Sequence, residues 1–88
     1  GYSLLIHSHL KDRTYPQIGS VVFNSTQRNS GTVGMNGDMY VSGVKAGEVI
    51  TVKWGEESLS QCTIKIPRDL PVQTEGQGYL EASLLCEQ

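Results

Sequence analysis

No run of basic residues interrupts this chain. Its 7 Lys and Arg are scattered among 9 Asp and Glu, for a formal charge of −2. Phosphate binding needs clustered cations, so nucleic acid is not the expected partner. No apolar stretch approaches the ~18–20 residues of a membrane-spanning helix. No secretory signal is visible, and the first residue is Gly1 rather than Met. The simplest expectation is a piece of a longer protein whose targeting or spanning segments lie elsewhere. Helical periodicity is missing as well: no long stretch sets apolar residues at 3.6 spacing, and 10 glycines are spread over 88 residues. Cysteine is scarce, with only Cys62 and Cys86. A chain of this length is expected to form one domain, residues 1–88, burying only ~60–65% of the surface its unfolded form exposes. So thin a core gains from a covalent staple. A bridge closing the 62–86 loop is worth about 3–3.5 kcal/mol in the chain-entropy model.

Period-2 alternation between turn residues fills the space that helices leave. Tyr2 to Leu10 alternates, with Leu4, Ile6 and Leu10 on one face and Leu5, His7 and His9 on the other. Ser20 to Asn24 forms a short run with Val21 and Phe23 on one face. Asn36-Gly37 has the residue types of a tight type I′ turn, flanked by Thr32–Met35 and Asp38–Val41. A two-residue turn there pairs Val33 with Tyr40 and Gly34 with Met39, which puts apolar groups on both faces. Either that pair is buried on both sides or the loop is longer. Glu48 to Trp54 sets Ile50, Val52 and Trp54 together, with core the expected place for the indole. Gln61 to Ile66 turns Cys62, Ile64 and Ile66 inward, and Pro67 ends it because proline cannot donate to a ladder. Residues 68–78 read as a loop with Pro71, Gly76 and Gly78. Tyr79 to Cys86 closes the series with Leu80, Ala82, Leu84 and Cys86 on one face. Both cysteines thus fall on apolar faces, where an internal disulfide must sit; two reduced buried thiols are the alternative. About seven strands with one buried face each predict an all-β, two-sheet sandwich, and the bridge predicts an oxidising compartment.

Chemistry-bearing constellations are few. His7 and His9 point to one side of a strand, but zinc and copper sites normally take three or four ligands, and no third stands at a suitable spacing. A solvated strand face is the expectation, and because histidine titrates near neutrality a partner surface there would respond to pH. No serine sits in a Gly-x-Ser-x-Gly turn, and Glu56, Glu57 and Asp69 read as loop charges. Neither an enzyme nor a cofactor is expected.

Taken in order, Pro16, Ile18-Gly19-Ser20-Val21, Gly31-Thr32-Val33-Gly34 with Gly37 and Tyr40, Gly43, Ile50-Thr51-Val52-Lys53-Trp54-Gly55, Cys62, Ile66-Pro67 and Cys86 resemble the C-terminal domain of the outer-membrane fimbrial ushers. The resemblance runs from about Leu4 to Cys86. It departs at Gln17-Ile18, where the family often has Phe-Gly, and at Thr63-Ile64, where an aromatic often follows the first cysteine. Both changes keep the apolar pattern. The resemblance implies a plug-like or transthyretin-like sandwich, part of a large barrel protein of the chaperone–usher pathway. It places the domain on the periplasmic side of the outer membrane, itself not spanning. The implied partners are chaperone–subunit complexes and neighbouring usher domains, held by contact and orientation without cofactor or metal. In the family motif, Gly31, Gly34, Gly37, Tyr40, Trp54 and Gly55 are structural positions. Partner surfaces favour exposed apolar and aromatic groups, which singles out Leu5, His7, Tyr79 and Leu85. Competing expectations are an accessory spacer domain of a secreted protein, which leaves the Trp-Gly and cysteine spacing unexplained, and a fimbrial subunit, which is an incomplete sandwich.

Overall fold

The computed structural model describes residues 1–70 and 78–88; the expected loop residues Pro71 and Gly76 lie outside them. Among the described residues the strands are β1 (Tyr2–His9), β2 (Val21–Phe23), β3 (Asn29–Thr32), β4 (Asp38–Val44), β5 (Val49–Lys53), β6 (Gln61–Lys65) and β7 (Leu80–Leu85). They form a three-stranded sheet, β4-β1-β7, and a four-stranded sheet, β3-β2-β5-β6. The sandwich expected from alternation is therefore present. Its core is Leu4 and Ile6 of β1, Met39, Val41 and Val44 of β4, and Val22, Ile50, Val52 and Ile64 of the facing sheet, all at most 1% exposed. Trp54 lies one residue past β5 and packs half-buried against this cluster.

In β2 the inward residue is Val22, fully buried opposite Val52. Val21 and Phe23 face outward, where the Lys53 ammonium lies 5.8 Å from the Phe23 ring centroid. Val21 and Phe23 share one face as alternation predicts, and in a strand of only three residues the pattern does not say which face is inward. The Lys53 ammonium thus meets the outward aromatic as a cation over a ring face.

The Asn36-Gly37 turn resolves the face conflict in the sequence. Asn36 (φ 56) and Gly37 (φ 73) are both left-handed, and the Asp38 N–H donates to the Met35 carbonyl, as a type I′ turn requires. One residue is extra, however. Gly34 N–H donates to the Asp38 carbonyl over 2.7 Å, and Val33 stands opposite Met39 instead of Tyr40. That shift buries Val33 and Met39 together and leaves Tyr40 outside. Nor do the flanks form one sheet: β3 pairs with β2, whereas β4 crosses to β1. The turn is a corner between layers.

The sheets are joined along both sides. On one side β3 and β4 approach so closely that a Cβ on Gly31 would lie 2.6 Å from the Tyr40 carbonyl oxygen. On the other, Cys62 and Cys86 are disulfide-bonded with Cα atoms 5.4 Å apart. Thr63 and Glu87 exchange backbone hydrogen bonds of 2.7 and 2.8 Å beside them. The buried Ser8 hydroxyl donates to the Gly37 carbonyl over 2.6 Å, so the core-facing polar group of β1 is satisfied and the corner turn is pinned to it.

Two outcomes follow. Replacing both cysteines by serine removes a bridge across 24 positions and is expected to cost about 3 kcal/mol, read as a lower urea midpoint at unchanged pH. At Gly37 a Cβ would meet the Ser8 carbonyl oxygen at 2.2 Å, with φ at +73°. Gly37→Ala is therefore expected to destabilise by about 2 kcal/mol or more in the same assay, whereas Gly34→Ala, whose nearest contact is 3.4 Å, costs much less.

Candidate partner-binding face

Because Leu4, Ile6 and Ser8 of β1 are buried, Leu5, His7 and His9 stand on the outer face of the three-stranded sheet. Register decides their neighbours. Leu5 lies between Tyr40 and Glu81, His7 between Asp38 and Ser83, and His9 beside Leu85. All four residues expected to meet a partner, Leu5, His7, Tyr79 and Leu85, share this face, and Tyr40 joins them.

The face has three zones. At one end the Tyr40 and Tyr79 rings meet edge to face across β1, centroids 6.1 Å apart and planes at 86°. Both are about half exposed, at 51% and 46%, and with Leu5 they make an amphipathic aromatic surface. At the other end Leu85 is 38% exposed, beside His9 and the loop carrying Lys11, Arg13 and Tyr15. Between the two lies a polar clasp: His7 Nδ1 is 2.7 Å from Asp38 Oδ1, and His7 Nε2 is 2.5 Å from Glu81 Oε2. One imidazole thereby ties β4 and β7 across β1.

Two carboxylates on one imidazole favour the imidazolium, which donates from both nitrogens; the neutral ring donates from only one and turns a lone pair on the other acid. The hydrogen bond to Glu81, and then that to Asp38, hold the His7 pKa above its ordinary value of 6.5. The same contacts leave no free ring nitrogen on His7 to ligate a metal ion or deprotonate Ser83. Among the described residues, no group of three or more His, Cys, Asp and Glu is placed to hold a metal ion. Of the motif positions, Gly31, Gly37 and Tyr40 shape the seam and corner beside this face. Gly34 sits at the extra residue of the turn, and Gly55 packs against Ser60 beyond β5 next to Trp54. Asp38 and Glu81 were not identifiable from the sequence as His7 partners, since they lie 31 and 74 residues from it. Only strand order brings them together.

Residues 5–69 match the family model of the PapC C-terminal domain. The chain is 30% identical over 86 residues to the outer membrane usher protein FimD of Escherichia coli K12, covering 98% of this chain and 10% of that protein. It thus spans about a tenth of the length of this curated relative. The solved C-terminal domain of the Caf1A usher superposes with a TM-score of 0.83 at 30% identity, over 97% of this chain and 96% of that one. Conserved hydrophobic clusters on the surface of that domain are important for F1 antigen assembly. A chain of the E. coli P pilus tip assembly intermediate PapC-PapD-PapK-PapG superposes with a TM-score of 0.78 at 26% identity, over 97% of this chain and 10% of that one.

The clasp makes stability depend on pH in a defined direction. A pKa raised on folding contributes stability that is fully present below the unfolded value, near 6.5, and is lost as pH rises through the folded value. His7 is expected to titrate above 6.5 by NMR. Denaturant stability is expected to fall as pH rises through that transition. Asp38→Asn with Glu81→Gln should return the His7 midpoint to the ordinary range and flatten the stability profile.

Proposed function

This chain belongs to the PapC C-terminal domain family of outer-membrane ushers, and from that premise we propose that residues 1–88 form one domain that binds and positions chaperone–subunit complexes while surface fibres are assembled and secreted. It works on the periplasmic side of the outer membrane as part of a larger barrel protein, with neighbouring usher domains as its other contacts. The observation that carries this reading is the exposed aromatic and apolar face of β4-β1-β7, with Leu5, Tyr40 and Tyr79 at one end and Leu85 at the other. Aromatic anchors on a stiff sheet lose little conformational freedom on docking and supply most of the contact energy. The surface hydrophobic clusters described for the Caf1A domain support assigning the contact to such a face. The role is non-catalytic. The domain contributes orientation, and any acceleration of fibre assembly comes from proximity.

Titration of the purified domain against chaperone–subunit complexes, with free chaperone as control, tests the proposal. Saturable binding to a complex is expected. Leu5→Ala with Tyr79→Ala should weaken it about tenfold or more while the unfolding midpoint moves little, because both side chains lie outside the core. Unchanged affinity in the double variant would remove this face from the contact. Binding to no complex, by a folded domain, would favour a spacer packed against its neighbours.

A further inference from the structure

Beyond the clasp, at the end where β1 gives way to the loop after His9, an open depression is lined by His9, Lys11, Arg13, Tyr15, Asp38 and Leu85 among others. We propose that this depression takes an acidic segment of the polypeptide that docks on the sheet face, with Lys11 and Arg13 receiving its carboxylates; this rests on the docking reading above.

Lys11 and Arg13 make no ion pair with any described residue, since the ion pairs present join His7 to Asp38 and Glu81, and Lys53 to Glu56. Each nearby acid is occupied. The Asp12 carboxylate, between the two cations in sequence, turns away to accept from the Thr14 N–H at 3.1 Å and the Thr14 hydroxyl at 2.5 Å. Asp38 is held by His7, whose other nitrogen holds Glu81. A domain of formal charge −2 thus presents at one spot two cations without an ion-pair partner among the described residues, beside carboxylates that are committed to hydrogen bonds of their own.

The loop holds them there. Leu10 N–H donates to the Thr14 carbonyl over 2.7 Å and Arg13 N–H to the Leu10 carbonyl over 3.0 Å, closing a tight turn. Arg13 adopts φ 70, a left-handed conformation that glycine or asparagine takes at lower cost. Exposed Tyr15 (52%) and Leu85 flank the cations, so the segment that fits alternates acids with apolar residues. A guanidinium fork pairs with a carboxylate in two parallel hydrogen bonds. Two cations are too few for the alternatives: anionic lipid surfaces draw on clusters of about 4–8 basic residues, and a nucleic-acid groove needs several more phosphate contacts.

Asp38 makes the site pH-sensitive. The charged and titratable groups facing it are His7 and His9 from β1, Glu81 from β7, and Lys11 and Arg13 from the loop. When His7 loses its proton, the clasp that includes Asp38 and Glu81 gains one unit of net negative charge beside the incoming acids, so affinity falls as pH rises.

The test uses an acetylated, amidated octapeptide of four glutamates alternating with serine and leucine, its four-lysine counterpart, and vesicles containing phosphatidylserine, each titrated into the 15N-labelled domain. The glutamate peptide is expected to shift the amides of His9, Lys11, Arg13 and Leu85, more weakly in high salt and above the His7 transition. Lys11→Glu with Arg13→Glu should reduce its affinity about 5–10-fold with the rest of the spectrum unchanged. Leu5→Ala with Tyr79→Ala should leave it intact. No shifts at millimolar peptide, equal affinity in the charge-reversed variant, or a preference for the lysine peptide or the vesicles overturns the proposal. If the peptide fails while Leu5 and Tyr79 still govern chaperone–subunit binding, the docking face stands without this site. If the peptide binds as expected while no complex does, the docking reading fails.

Discussion

The seam between β6 and β7 is the constraint on which the rest depends. Among the described residues β7 has β1 as its only sheet neighbour, and that pairing is parallel between strands more than 70 residues apart. Such a contact is entropically the most demanding in the molecule. The Cys62–Cys86 bridge and the Thr63–Glu87 hydrogen bonds anchor the end of β7 to the opposite sheet. Everything β7 brings to the outer face depends on that anchor: the Tyr79 ring, the Glu81 carboxylate and Leu85.

On the opposite side no covalent link exists, and close backbone approach does the joining. Gly31 lets β3 lie against the Tyr40 carbonyl, and the left-handed corner at Asn36-Gly37 carries the chain from one sheet to the other. The two seams use opposite means, a bond in one and an absence of side chain in the other. Both leave β4-β1-β7 packed on the core with its outer face exposed.

Much of this was legible in the sequence. Alternation placed Leu4, Ile6, Ile50, Val52, Ile64 and both cysteines inside, because each sits in a run long enough for the pattern to average out. At Val21 and Phe23 it gave a shared face but not its direction, because the strand is too short and the Lys53 ammonium of the next strand lies over the outward ring. It left the Val33–Met39 pairing open because one extra residue in a turn reverses every parity after it. Leu5, His7, Tyr79 and Leu85 could be picked as outward residues from period alone. The clasp could not: linking His7 to Asp38 and Glu81 requires knowing that β1 lies between β4 and β7, and no local pattern encodes strand order. The same applies to Lys11 and Arg13, whose charge is evident in the sequence but whose lack of an ion pair among the described residues becomes visible only once Asp12 is seen to turn onto Thr14.

The parallel pairing of β1 with β7 also has a mechanical consequence. The ladder runs in register from Leu4–Leu80 to His9–Leu85, so the first strand enters at the end from which the last strand sets out. A force applied through these two strands in opposite directions loads the whole ladder in shear. Its hydrogen bonds then share the load instead of opening one after another, and the disulfide at Cys86 stops the last strand from sliding free. A sandwich built this way resists being drawn out along its own chain while the broad outer face of β4-β1-β7 stays open.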